Sequence, residues 1–263
     1  MMPMKMGVLG PLLMDRGGRN RVPNARKPRR LLALLMINAG YPVRASDCVT
    51  ELWDTSPPKS AASTLQTYVL HLRRMLGEAA SGDDDNTLRT ANLGYQLAVN
   101  PLDVDCFLFE DMARHGAALA NANEYEGASE MFTKALDLWR GPVMADVRPG
   151  PVSLSYVVEL EESRKYVLER RIEADLKLHK HKALLDELET LVRTYPTNEN
   201  LRAQFMVALY RSGHRAEALS VFRNLRRTLE DNFGFEPDPR IKRLYGAIWA
   251  EHPALHLPTA AAR

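Results

Sequence analysis

Leu184, Leu188 and Leu191 are followed, 34 residues on, by Ala218, Phe222 and Leu225. Thirty-four is the tetratricopeptide period, in which one pair of helices packs small and large residues against the next pair. The recurrence therefore predicts stacked helices for much of the chain's second half. An earlier set with the same internal spacing, Ala128, Phe132 and Ala135, stands 56 residues before the first of these, which is 22 more than one period. The stretch from Gly141 to Pro151, with its Gly and Pro content, can hold much of that excess outside the helices. Generic helical packing also produces apolar coincidences at this spacing, and it is the competing reading.

The first hundred residues are patterned differently. Residues 5–14 and the run Arg21, Val22, Pro23 read as strands about a Gly17-Gly18 turn, being short, partly alternating and bounded by breakers. Pro28 suits the opening turn of a first helix, carried by Leu31, Leu34, Leu35 and Asn38 until Gly40 ends it. Ser46 is the expected N-cap of a second helix through Val49, Leu52 and Trp53. Pro57 and Pro58 then break the chain before a third helix predicted over 59–76 and closed by Gly77. Residues 87–90 and 95–99, about Asn92, Leu93 and Gly94, make a hairpin. Two strands, three helices and a hairpin, in that order, describe a winged helix-turn-helix. The fold class expected is mainly α with small β elements: a winged helix-turn-helix over 1–100, an all-α tetratricopeptide-like repeat domain over 101–252 and a flexible tail over 253–263.

On a helical wheel the third helix separates into two faces. Ala62, Leu65, Val69, Leu72 and Leu76 fall within about 80° of one another and are predicted to meet the core. Ser60, Ser63, Thr64, Thr67, His71 and Arg74 cluster opposite, a hydroxyl-rich face with no acid, as suits a helix laid beside bases and phosphates in a major groove. An ordinary solvated face would mix Glu with Lys. Leu70, beside this face, reads as an exposed apolar residue without a role in preference to a contact with a thymine methyl. Arg26, Lys27, Arg29 and Arg30, four cations in five positions at the start of the first helix, match phosphate, or else form a solubilising cluster at a strand–helix junction.

Charge divides the same way. Residues 1–100 hold 13 Lys and Arg against 8 Asp and Glu, whereas residues 101–263 hold 22 against 25, so +5 and −3 lie behind the overall +2. Three of the eight N-terminal acids form the run Asp83, Asp84, Asp85. A basic domain joined to a mildly acidic one is expected where only the first meets a polyanion.

Other classes find no residues to carry them. The two cysteines, Cys48 and Cys106, make neither a disulfide framework nor a CxxC knuckle. The longest charge-free apolar run, 31–43, contains Gly40 and Pro42 and falls short of the roughly 20 residues needed to cross a bilayer. Arg29-Arg30 before 31–35 mimics a twin-arginine export signal, yet follows 28 residues that themselves look structured, and no small-residue cleavage site comes after it. No Walker A, GxGxxG, GxSxG or HExxH sequence occurs. His179 and His181, placed on a helix, would point about 200° apart and could not share one metal. No catalytic residue, metal or cofactor is expected, and the location expected is cytoplasmic, at the nucleoid.

These residues carry a resemblance. The chain resembles the Streptomyces antibiotic regulatory proteins, which join an OmpR-type winged helix to a bacterial transcriptional activation domain. In the first domain the matching stretches are Val8-Leu9-Gly10-Pro11, Arg30-Leu31-Leu32-Ala33-Leu34-Leu35, Glu51-Leu52-Trp53, Pro57-Pro58, Leu65-Gln66-Thr67-Tyr68-Val69, Leu72-Arg73-Arg74-Met75-Leu76-Gly77 and Gly94-Tyr95-Gln96-Leu97. In the second they are Asp103-Val104-Asp105 with Phe109, Ala135-Leu136-Asp137-Leu138-Trp139-Arg140-Gly141-Pro142, Ala208-Leu209-Tyr210-Arg211-Ser212-Gly213, Ala216-Glu217-Ala218-Leu219 and Gly234-Phe235-Glu236-Pro237. The chain departs from the pattern at Asp83-Asp84-Asp85, at the wing tip Ala91-Asn92-Leu93 and at Gln96, where the wing often has a cation. It reads as a short, stand-alone member.

The resemblance implies an activator of antibiotic or other secondary-metabolite genes. Such a protein binds direct repeats near the −35 region of double-stranded promoter DNA as adjacent, self-associating protomers, and recruits RNA polymerase holoenzyme through its sigma and alpha subunits. Ser63, Thr64, Thr67, His71 and Arg74 would face the groove. Arg26, Lys27, Arg29, Arg44 and Tyr68 would meet phosphates, Arg89 and Asn92 would form the wing contact, and the loop carrying Asp54, Thr55, Ser56 and Lys59 would touch polymerase. A tetratricopeptide scaffold that binds no DNA, and an effector-gated repressor, are the alternatives.

Overall fold

The computed structural model describes residues 5–15, 20–79, 87–91, 93–252 and 255. The expected Gly17-Gly18 turn, the Asp83-Asp84-Asp85 run, Asn92 and all of the expected tail but Leu255 lie outside them.

The first predicted strand folds back on itself. β1 (Lys5–Gly7) and β2 (Leu13–Asp15) pair antiparallel, with Met6 opposite Met14. Gly10 makes the reversal at φ 141°, where an L side chain is strained and where a Cβ would stand 2.8 Å from that of Arg140. Arg21, Val22 and Pro23 form no strand: after the bridge between Asp15 and Asn20, Arg21 N–H bonds back to the Met14 carbonyl at 2.9 Å, and the three residues join no ladder among the described residues.

α1 (Arg26–Met36) holds Pro28 in its first turn and ends four residues before Gly40. Leu31 through Met36 are all buried, so this helix is covered on every side in its second half. A strand that the periodicity did not predict follows, β3 (Pro42–Arg44). α2 (Ala45–Trp53) takes Arg44 as its N-cap residue, without a side-chain bond, while Ser46 Oγ turns to Asp47; the expected Ser46 cap is therefore corrected. α3 (Ala61–Ala79) starts two residues later than predicted and runs through Gly77, which does not close it. β4 (Leu88–Ala91) and β5 (Gly94–Leu97) form the predicted hairpin, and β3 joins it in the order β3-β5-β4, with Val43 opposite Tyr95. A Cβ at Gly94 would run into the Val43 carbonyl oxygen, which is why glycine stands where those strands meet.

The remainder is helical: α4 (Asp105–Asn121), α5 (Tyr125–Leu136), α6 (Pro151–Lys177), α7 (Leu185–Thr194), α8 (Glu199–Arg211), α9 (Arg215–Phe233) and α10 (Pro239–Trp249). Two compact units result. One takes the described residues up to Gly116 with Met131–Val167, and the other takes Ala117–Glu130 with the described residues from Leu168 on.

In the first unit, residues 137–150 between α5 and α6 hold only part of the 22-residue surplus expected mostly in 141–151; the rest lies in α6, which at 27 residues is about twice as long as α8 at 13. The 137–150 segment binds the N-terminal hairpin: Arg140 N–H donates to Leu9 O at 2.7 Å and Met144 N–H to Val8 O at 2.8 Å. Three carboxylates complete the joint. Asp105 accepts from Val8 N–H at 2.7 Å, Leu9 N–H at 3.2 Å and Arg140 at 2.8 Å. Asp146 accepts from Leu12 N–H at 2.7 Å. Glu51 of α2, fully buried, accepts from the N–H groups of Gly150, Val152 and Ser153 at 2.7, 3.0 and 3.0 Å and from Ser153 Oγ, capping α6 where its N–H groups have no partner of their own.

In the second unit Leu184, Leu188, Ala218, Phe222 and Leu225 share one core with Ile172, Met206, Leu209 and Ile248, and Leu191 packs at its edge. The recurrence is thus successive helix pairs, α7 with α8 and α9 with α10. The premise for His179 and His181 is corrected: α6 ends at Lys177, His179 sits at φ 61°, and the two rings meet edge to face with centroids 5.8 Å apart. Among the described residues no group of three or more His, Cys, Asp or Glu is arranged to hold a metal, and no helix is long and apolar enough to cross a membrane.

Candidate nucleic-acid interface

α3 is held by Ala61, Leu65, Val69, Leu72 and Leu76, all buried. Their spacing of four, four, three and four residues is that of one helical face. Ala62, predicted to join them, is exposed; the helix begins at Ala61, and it is that side chain which lies in line with Leu65.

The opposite face is open. Ser63, Thr67, His71 and Arg74 are exposed and Thr64 is half-buried. Ser63 Oγ donates to Ser60 O and Thr67 Oγ1 to Ser63 O, each at 3.0 Å, so both hydroxyl protons are used within the helix while the oxygen lone pairs stay available. Arg74 has no hydrogen bond or ion pair among the described residues. A guanidinium and several hydroxyl acceptors on one exposed helix face can take both the acceptor edge of guanine and the amino groups of adenine or cytosine. Leu70 is 48% exposed beside them.

Arg73, next to Arg74, does the reverse. Its Nε donates to Leu88 O at 2.9 Å and its Nη2 to Thr90 Oγ1 at 2.7 Å, fastening β4 to α3. Nothing in the residue pattern of the outer face singles it out. The available signal was its position on the helix between core residues Leu72 and Leu76, with a hairpin to follow.

The basic cluster at the start of α1 splits. Arg26 is exposed. Lys27 Nζ lies 4.4 Å over the Trp53 ring, and Trp53 stacks on Tyr68 with ring centroids 6.4 Å apart and planes 14° from parallel. Lys27, Trp53 and Tyr68 thus tie the start of α1, the end of α2 and the middle of α3 into one column, a cation–π contact upon an aromatic pair. Arg29 turns to the protein: Nε donates to Pro23 O at 2.9 Å and Nη1 to Asp146 at 3.0 Å. Arg30 donates to Glu51 O at 3.2 Å. Arg29 is thus bonded within the protein, a role that the phosphate contact expected of it did not include. Arg44 is exposed where β3 meets α2.

On the wing Arg89 is exposed, and Leu93, at φ 65° and 93% exposed, stands at the hairpin tip. Gln96 is turned to the protein, its Nε2 donating to Gly40 O at 2.6 Å. Asp54, Thr55, Ser56 and Lys59 are exposed between α2 and α3, with Asp54 at φ 56° ending α2.

With this geometry in view, likeness to known proteins becomes informative. Residues 104–249 match the family of the bacterial transcriptional activator domain, and residues 19–97 match that of the C-terminal domain of transcriptional regulatory proteins. The regulatory protein DnrI of Streptomyces peucetius is 43% identical over 256 residues, which cover 96% of this chain and 94% of DnrI. The regulatory protein AfsR of Streptomyces coelicolor is 35% identical over 96% of this chain but only 25% of its own length. Among solved structures, EmbR of Mycobacterium tuberculosis, in complex with a low-affinity phosphopeptide, superposes with a TM-score of 0.90 at 32% identity, over 95% of this chain and 66% of EmbR.

Proposed function

The chain belongs to the Streptomyces antibiotic regulatory protein family of transcriptional regulators, and on that premise we propose that it is a sequence-specific DNA-binding activator that uses α3 as its recognition helix. The observation that carries the reading is the exposed, acid-free face of Ser63, Thr67, His71 and Arg74, with Thr64 at its edge, on a helix whose other face is fully committed to the core. Arg26, Lys27, Arg44 and Tyr68 supply the phosphate contacts, which set affinity and its salt dependence without reading sequence. Arg89 and Asn92 supply the wing contact.

The sites are direct repeats near the −35 region of promoters of secondary-metabolite genes, filled by adjacent protomers. The exposed loop of Asp54, Thr55, Ser56 and Lys59 meets RNA polymerase holoenzyme at its sigma or alpha subunits. The protein works as a regulator at the nucleoid, not as an enzyme.

Gel-shift titration against the promoters of its own biosynthetic cluster, comparing one repeat with two in the presence of random duplex, tests this. Tight binding that needs both repeats and survives competitor is expected. Binding without sequence preference at low salt would sink the reading and leave a protein-interaction scaffold.

A further inference from the structure

The second unit carries a groove of about 410 Å³ among α7, α8 and α9. Its base is apolar: Phe205 and Leu209 of α8 are buried there, flanked by half-buried Leu185 and Val221. Its rim is acidic: Asp186 and Glu189 of α7 and Glu217 of α9 are exposed around it, and among the described residues no Lys or Arg lines it. Asp186 has no cation partner among the described residues. Glu189 reaches Arg193 only at 3.9 Å, and Glu217 meets the His214 ring at 2.9 Å.

The groove is lined by α7 and α9, the corresponding helices of successive 34-residue repeats, with α8 between them as its base, and helical arrays of this kind bind partners on such a concave face. From His214 to Asn224 its α9 wall runs for about 15 Å at the helical rise, room for roughly five residues of extended chain. Ser220 and Asn224, one turn apart on that wall, offer a hydroxyl and an amide to a peptide backbone. Three carboxylates around an apolar base repel one another, and a ligand that brings both an apolar side chain and positive charge relieves the repulsion while burying the base.

We propose that this groove docks a short extended segment of a partner protein, one with a single large apolar residue flanked by Arg or Lys. The proposal stands whether or not α3 binds DNA.

The test uses the full chain and fluorescence anisotropy at physiological salt with a set of labelled eight-residue peptides carrying Leu or Phe between arginines. Counterparts replace Arg by Glu or the apolar residue by Ser. The arginine peptides are expected to bind, with the Glu counterparts weaker by about tenfold or more and the Ser counterparts by about fivefold. The double variant Glu189→Lys, Glu217→Lys should lose about tenfold, while Glu124→Lys, Glu126→Lys, an equal charge change outside the groove, should lose less than about twofold. Circular dichroism confirms that both variants are folded. No binding by any peptide of the set, or equal losses in the two double variants, overturns the proposal. So does sedimentation that finds a dimer which the Glu189→Lys, Glu217→Lys change dissolves, since the groove would then hold a second copy of the chain.

Discussion

Two polar regions of the first unit use opposite arrangements. At the joint between the N-terminal hairpin, α2 and the start of α6, Glu51, Asp105 and Asp146 are bonded to named backbone N–H groups. On the outer face of α3 the side chains stand in water, and among the described residues nothing in the protein holds Arg74. Polar groups that the fold satisfies hold it together, whereas polar groups that it exposes together on a rigid element are free for a ligand. A third arrangement, in the second unit, marks the limit. His181 is 3% exposed with neither ring nitrogen hydrogen-bonded among the described residues, and burial, then Arg211 and His179, push its pKa below the ordinary histidine value.

The contrast can be broken by substitution. Glu51→Ala strips the cap from α6 and leaves buried N–H groups unpaired, so it should lower unfolding free energy by about 3–5 kcal/mol in a urea titration; a loss under about 1 kcal/mol would mean that water replaces the carboxylate. Arg74→Ala should leave that titration unchanged and weaken specific DNA binding by about 1–3 kcal/mol. Equal losses on specific and random duplex would move Arg74 to the phosphate class.

For His181 the sign runs with acid. Its folded pKa lies below its unfolded one, so its contribution is present above the ordinary histidine range and is lost as pH falls from there to the folded value. His181→Leu should flatten the fall in stability across that window, and an unchanged slope would show that the ring is solvated. Lys27→Ala should reduce binding alike on all duplexes and flatten the salt slope by about one unit. The smallest effect belongs to Arg29→Ala. Its pair with Asp146 is partly exposed, with the two side chains 25% and 32% accessible, and should be worth about 0–1 kcal/mol with no change in salt slope. A slope lower by one would return Arg29 to the phosphate contacts.

Much of this architecture is legible in the residues alone. The 34-residue recurrence was legible because core spacing repeats along the chain, and the two faces of α3 because helical geometry alone sets them. β3 was not: three residues carry no usable alternation, and its partner β5 lies some fifty positions on. Arg73 and Arg74 look alike in sequence, and so do Arg26 and Arg29. Only the place of Leu88, Thr90, Pro23 and Asp146 in space separates the clamps from the free cations.

What is periodic and local was legible in the residues themselves: the helices, most of the apolar face of α3 and the acid-free face opposite, whereas the helix ends expected at Gly40 and Gly77 were not. The tertiary structure alone decided which polar side chains are spent. A hydrogen bond such as Glu51 to Ser153 closes across 102 residues, and no local pattern encodes which chain segments will come within 3 Å of each other.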